Sequence, residues 1–228
     1  MFLALAVAAL VGVQTEEGQP EQWLCGYSAV GSRGSSLDVQ FYVEANGTVV
    51  GQGVLWSPPV VRRVIGERGL AEIGLTVAFD HADKSGLGAP ANIGASVLDK
   101  TNLDVLDDAT AMLVVAGAAS PKVSFDVSGE MESGHYRSST LANSNDVTTA
   151  DILIRLGSGR RGTLVVLGAD RNILAAIDYD FSGRKERDRL FRKAWRIAKA
   201  KIARLTQCDK TSADAGVLTF PVPDVPIP

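Results

Sequence analysis

The chain has 228 residues and a net charge of −3 at pH 7, with 46% hydrophobic and 21% charged residues. This is the composition of an ordinary globular protein, long enough to bury a sizeable core as one large domain or two small ones. The sequence has no internal repeat and no coiled-coil heptads, which excludes repeat and coiled-coil architectures. Its 23 glycines favour a β-rich fold with many turns.

Residues 1–17 are predicted to be a secretory signal peptide. Residues 2–13 are all apolar or small, and the stretch 15–18 ends the run. The run is too short to span a bilayer, which needs about 20 residues, but it matches the apolar region of a signal peptide. No Lys or Arg precedes it, since the first basic residue is Arg33. We therefore expect a periplasmic or secreted protein; the alternative is a buried N-terminal strand or helix.

The two cysteines agree with export. Cys25 and Cys208 lie near opposite ends of the predicted mature chain, and an isolated pair in an oxidising compartment is most simply one disulfide. The alternative is two unrelated buried thiols. Neither cysteine lies in a C-x-x-C or metal-ligand spacing, so we expect no zinc site, no redox catalysis and no cofactor.

Strand patterns occupy most of the first half after about residue 22. Asn46–Gly47 separates the first two and predicts a hairpin with a type I′ turn. Asn46–Thr48 is also a glycosylation sequon, although the turn explains it. Pro58 and Pro59 predict an irregular connection over 57–69. The predicted strands are 37–43, 49–56, 70–80, 92–99, 111–117 and 122–129.

The second half is predicted to begin with a loop. Residues 130–149 are rich in Ser, Thr, Asn and Gly without a sustained period, and a loop of this length is functional or disordered. Strands are predicted at 151–157, 163–169 and 172–181, with a turn at 169–172.

A long amphipathic helix is predicted over 183–207, with Ser182 as its N-cap. At about 100° per residue its apolar residues fall on one arc, and Cys208 extends that arc, so a Cys25–Cys208 disulfide would attach the helix near the first strand. Residues 184–204 carry ten bases and two acids, against thirteen bases and twenty-four acids elsewhere. The cations opposite the apolar arc are Lys185, Arg189, Arg192, Lys193, Arg196, Lys199 and Arg204.

These patterns predict an α+β protein that is mostly β. We expect an antiparallel sheet or sandwich with one long amphipathic C-terminal helix packed on it, as a single domain over 22–208. The four prolines in the last eight residues favour an extended proline-rich tail over 209–228.

Three motifs carry weak chemical signals. Residues 157–162 match G-x-G-x-x-G, but a strand pattern follows where a dinucleotide site needs a helix, so we predict a glycine-rich hairpin loop. Four aspartates lie close together in the sequence: Asp99, Asp104, Asp107 and Asp108. We predict a solvated acidic turn, and the alternative is a calcium site. Of the two histidines, His81 fits a turn, whereas His135 shares a predicted loop with Ser133, Ser138, Ser139 and Asp146.

The predicted function is therefore binding without catalysis. We expect an exported binding or envelope-interaction protein whose basic helix contacts an anionic membrane surface or an acidic protein partner. The simplest alternative is that these cations only solvate the helix. A second alternative is a hydrolase with a site near His135. Nucleic acid is not expected, because the rest of the chain is acidic and no aromatic residues alternate with the cations.

Overall fold

The structure is a computed structural model, and it describes residues 22–31, 34–65, 69–79, 82–83, 86–99, 106–131, 134–143, 150–204 and 208–211. The predicted signal peptide and most of the predicted tail lie outside this part of the chain. The protein is mostly β with antiparallel sheets and two helices, which confirms the predicted fold class.

The elements follow one another along the chain with short connections. The strands are β1 (Gln22–Val30), β2 (Ser36–Glu44), β3 (Val49–Ser57), β4 (Val61–Ile65), β5 (Gly69–Phe79), β6 (Ala82–Asp83), β7 (Gly86–Leu87), β8 (Pro90–Asp99), β9 (Thr110–Val115), β10 (Ala118–Ala119), β11 (Val123–Ser124), β12 (Asp126–Met131), β13 (Gly134–Asn143), β14 (Arg161–Leu167), β15 (Ile173–Asp180) and β16 (Asp209–Thr211), and the helices are α1 (Ala150–Gly157) and α2 (Arg184–Ile202).

Two sheets enclose the core. The large sheet has the order β12-β13-β8-β5-β3-β2-β1-β16, and β4 pairs with β5 beside this path. The second sheet has the order β10-β9-β14-β15, with β11 paired to β9. All pairs are antiparallel, as expected where neighbours are joined by hairpins and short returns.

Period-2 alternation places the core on one side of each sheet. In β2, Leu37, Val39 and Phe41 are buried in the core cluster. Leu113 of β9 and Leu164 of β14 belong to the same cluster, so both sheets contribute to a single core. Each such side chain stabilises the fold by roughly 1.5–3 kcal/mol relative to full exposure.

The predicted hairpin between β2 and β3 is present, but its turn is not type I′. Gly47 has φ of 86°, whereas Asn46 does not have positive φ. The Gly47 N–H donates to the Glu44 carbonyl at 2.8 Å, and the Thr48 N–H donates to Asn46 Oδ1 at 2.7 Å. This matches the longer hairpin loop in which a type I turn is followed by glycine in the left-handed region.

The predicted strand at 151–157 is wrong, because these residues form α1. Ile152, Leu153 and Leu156 are buried, a spacing that places them on one helix side, while Ile154 is 71% exposed. Arg155 Nε lies 2.8 Å from Asp151 Oδ2 one turn away. The run has too few residues for its apolar pattern to separate a helix from a strand.

The predicted loop at 130–149 is also wrong over much of its length. Residues up to Met131 belong to β12, and β13 pairs with β12 on one side and with β8 on the other. Backbone hydrogen bonds to two neighbours can hold a Ser- and Thr-rich segment as a strand despite its weak local pattern. Residues 144–149 lie outside the described chain.

Two smaller predictions need correction. The connection predicted over 57–69 contains β4, whose Arg62 is paired with Glu72 of β5 at 2.9 Å. The strand predicted over 122–129 is interrupted at the buried Phe125, which separates β11 from β12. In each case neighbouring strands supply pairing that the local sequence does not reveal.

The C-terminal helix ends beside the first strand, as predicted. Cys25 and Cys208 form a disulfide with Cα atoms 4.7 Å apart, joining residues separated by 183 positions. The chain then forms β16, which pairs Asp209 with Leu24 and Thr211 with Gln22. The first three residues of the predicted tail are therefore part of the large sheet.

Removing the disulfide should strongly lower stability. In Cys25→Ala/Cys208→Ala we expect the free energy of unfolding to fall by roughly 5 kcal/mol, because the bond limits the entropy of an unfolded loop of this length. Urea unfolding measures the change, and reductant should have no effect on the double variant. If reductant left the wild-type unfolding midpoint unchanged, the bond would not contribute to stability.

Candidate functional site

Helix α2 is anchored by its apolar side. Leu190, Phe191, Ala194 and Ala198 are buried, and the helix packs against β1 and β2. The Trp195 ring lies edge-on to Phe41 of β2, with centroids 5.1 Å apart. Such a pair adds roughly 0.5–1.5 kcal/mol beyond the buried area. The packing fixes which side of the helix faces outward.

The start of α2 differs from the prediction. The N-cap is Gly183, which provides no side-chain cap, and the helix begins at Arg184. Ser182 instead donates its backbone N–H to Asp180 Oδ1 at 2.8 Å. The described helix ends at Ile202, and residues 205–207 of the predicted helix lie outside the described chain.

The predicted cations lie on the outward side of α2, with Arg204 two residues beyond its end, and we call them the basic face. All of its members are exposed except Lys193, which is half-buried; the members are Lys185, Arg189, Arg192, Lys193, Arg196, Lys199 and Arg204. Within the part of the chain that the structure describes, Lys185, Arg189, Arg192, Lys193 and Arg196 form no ion pair with a carboxylate. Their charges are therefore directed to solvent.

Two lysines of α2 also contact aromatic rings. Lys199 Nζ lies 4.9 Å from the Phe41 ring centroid and 5.3 Å from that of Trp195. Lys201, which is not among the cations opposite the apolar arc, is half-buried with Nζ 6.0 Å from the Tyr27 ring. Cation–π contacts of this kind contribute about 0.5–1 kcal/mol at exposed sites, so these lysines help to hold the helix on the sheet.

The structure does not assemble the described serines of the hydrolase alternative around His135. His135 lies in β13 opposite Asp99 of β8. Ser138 lies three positions after His135 in β13, so its side chain points to the other side of the sheet. Ser139 points to the same side as His135 but lies four residues away, about 13 Å along the strand. Ser133 and Asp146 lie outside the described chain, as does His81. The hydrolase alternative stays a prediction that no described contact favours.

The glycine motif at 157–162 joins a helix to a strand. Gly157 ends α1, Gly159 has φ of 74°, and β14 begins at Arg161. The predicted hairpin loop is therefore wrong, because the preceding element is helical. A dinucleotide fingerprint requires the reverse order, with the glycines at a helix N-terminus, so the arrangement does not provide that phosphate site.

The aspartates of the predicted acidic turn do not share one environment. Asp99 is fully buried in β8, whereas Asp107 is paired with Arg137 at 2.7 Å. Asp108 is exposed, and Asp104 lies outside the described residues. Among the described residues no group of three or more His, Cys, Asp or Glu side chains is placed to hold a metal ion.

Sequence reasoning missed a band of buried polar residues on the large sheet. Asp38 alternates with the core residues of β2 and therefore points to the opposite side of the sheet, where Ser28 of β1 lies directly across from it. Burial raises the pKa of Asp38 to about 6. Alternation along β2 separates Asp38 from the apolar core residues but does not show that its side of the sheet is buried. The members of the band are Ser28, Asp38, Gln40, Thr76 and Ser96.

No protein-family model matches the sequence, and no curated protein or solved structure shows significant similarity to it. The described helices are also too short or too polar for either to cross a lipid bilayer.

The buried Asp38 predicts an unusual pH dependence of stability. Its pKa is raised in the folded protein, so its contribution is most favourable below about pH 4 and is lost as pH rises through about 6. Asp38→Asn should remove this loss, and the variant should gain up to about 3 kcal/mol over wild type between pH 4 and 7.

Urea unfolding of both proteins across this pH range measures the difference. Asp108→Asn, which removes an exposed carboxylate, is the matched control and should follow the wild-type profile. Parallel profiles for wild type and Asp38→Asn would show that Asp38 is not destabilised by burial.

Proposed function

We propose that the protein is an exported, non-enzymatic binding protein that contacts an anionic membrane surface through the basic face of α2. The observation that carries this proposal is the orientation of α2, whose apolar side is buried while the cations of the basic face point outward. The rest of the chain has a large excess of acids, so the positive charge is concentrated on one element.

The size of the expected attraction supports a surface contact. A basic residue near an anionic membrane contributes about 1 kcal/mol, and the effect decays within a Debye length. Several cations on one exposed helix side can act together on a flat surface. The exposed positions cannot provide a desolvated pocket of their own, so extended anionic surfaces fit the basic face better than a single small ligand.

The disulfide supports the exported location. Such bonds persist in oxidising compartments and are rare in the cytosol, and Cys25 and Cys208 are both engaged in one. The apolar run at residues 2–13 has the length expected of a signal peptide. We propose a periplasmic or secreted protein on these two grounds.

Vesicle co-sedimentation tests the surface contact. We expect the protein to sediment with vesicles of phosphatidylcholine and phosphatidylglycerol at low salt, and to be released as salt is raised. The triple variant Arg189→Gln/Lys193→Gln/Arg196→Gln should bind on the order of a hundredfold more weakly, because three membrane-facing charges are lost.

The control removes the same charge elsewhere. Lys122, Arg160 and Arg161 are exposed and lie outside α2, so their triple replacement by Gln should bind nearly as wild type. Equal weakening in both triple variants would show that net charge, and not the basic face, is responsible. Absence of binding to anionic vesicles at low salt would refute the membrane contact and leave the acidic protein partner.

Intact mass of the protein from its native host tests export. We expect a mass that lacks roughly the first 12–18 residues and no alkylation of Cys25 or Cys208 until the protein is reduced. A full-length mass with two alkylatable thiols would place the protein in a reducing compartment and contradict the proposal.

A further inference from the structure

A cavity of about 280 Å³ lies between the first half of α2 and the strands β5, β7 and β8. Its volume is close to the lower end of the roughly 300–1,000 Å³ found for small-molecule sites. Among the described lining residues are Arg184, Arg187 and Arg192 and the single carboxylate of Asp188, which together carry a net charge of +2. Phe79 and Leu87 contribute an apolar wall.

Arg187 is the most unusual of the three arginines. Its guanidinium carbon lies 5.3 Å from the Trp56 ring centroid and 5.7 Å from that of Phe79. The rings hold the guanidinium by cation–π attraction but accept none of its ordinary in-plane hydrogen bonds. The Arg187 Nε is buried and has no hydrogen-bond partner in the described structure.

This arrangement disfavours the charged form of Arg187. Burial lowers the pKa of Arg187, with the neighbouring Asp188 opposing the change. An arginine remains charged at neutral pH even so. A charged group that is partly removed from water is costly, and an anionic group in the cavity beside Arg187 would balance its charge.

Asp188 does not fulfil that role in the structure. Its nearest ion pair is to Arg184, with Oδ2 and Nε 3.9 Å apart, and the Arg184 side chain is 79% exposed. The first turn of α2, which contains Arg184 and Arg187, also carries the positive end of the peptide dipoles, which adds to the attraction for an anion. Within the described lining, the positive charge of the three arginines is therefore only partly balanced.

We propose that this cavity binds a small organic anion that carries a phosphate or carboxylate group on an apolar body. The anionic group meets Arg187 and Arg192, and the apolar body lies against Phe79 and Leu87. The site differs from the basic face in that Arg187 is not a member of it. It does not depend on the membrane contact, although Arg192 belongs to both.

Calorimetric titration with phenyl phosphate at low salt tests the site. We expect wild type to bind phenyl phosphate more tightly than inorganic phosphate, because only the former has an apolar body, and not to bind phenol. In Arg187→Gln the affinity should fall about 10- to 100-fold, as expected for the loss of a hydrogen bond between charged groups.

Two further variants keep the test decisive. Arg192→Gln replaces an exposed side chain and should also weaken binding without disturbing the fold. Arg196→Gln removes the same charge from α2 outside the cavity lining and should bind within about twofold of wild type, since its charge is screened by solvent.

Three results would overturn the proposal. These are no binding of phenyl phosphate to wild type, equal binding of phenyl phosphate and inorganic phosphate, and equal weakening in Arg187→Gln and Arg196→Gln. Vesicle binding by Arg187→Gln separates this site from the proposed function. Retained sedimentation with lost phenyl phosphate binding would mean that the two anionic contacts are independent.

Discussion

The packing of α2 on β1 and β2 is the contact on which the rest of the structure depends. Trp195 lies between Phe41 of the sheet and Phe191 of its own helix, and the Cys25–Cys208 bond attaches the end of the helix to the same edge. Because burial commits the apolar side of α2 to the sheet, the cations of the basic face, on the opposite side of the helix, face outward. The exposed positive surface is a direct consequence of how the core is completed.

The same helix presents its charge in two physical settings. Cations of the basic face are surrounded by water, so each contributes little and acts only in number on an extended surface. Arg187 is instead held over Trp56 and Phe79 with one donor buried, and desolvation makes a single hydrogen bond to an anion worth more. The same amphipathic helix thus carries exposed cations on its basic face and one partly desolvated arginine.

Several parts of the fold were predictable from the sequence. Asn46–Gly47 marks a hairpin because few residues tolerate positive φ, and the alternation in β2 marks a strand with one core side. The turn type was missed because only Gly47 adopts positive φ. Helix α1 was missed because four apolar residues in a short run are compatible with the spacing of a helix and with that of a strand. Strand β13 was missed because its stability comes from pairing with β8 and β12.

The sequence by itself determined the mostly β class, the amphipathic helix and its basic face, since each depends on spacing along one segment. It also indicated the disulfide, because the chain has only two cysteines. Tertiary structure alone decided that Asp38 is buried and that Arg187 lies over Trp56 and Phe79, side chains more than a hundred positions away in the sequence. Burial and desolvation depend on neighbours from distant segments, and the local pattern can at most place a residue such as Arg187 on the apolar side of its helix.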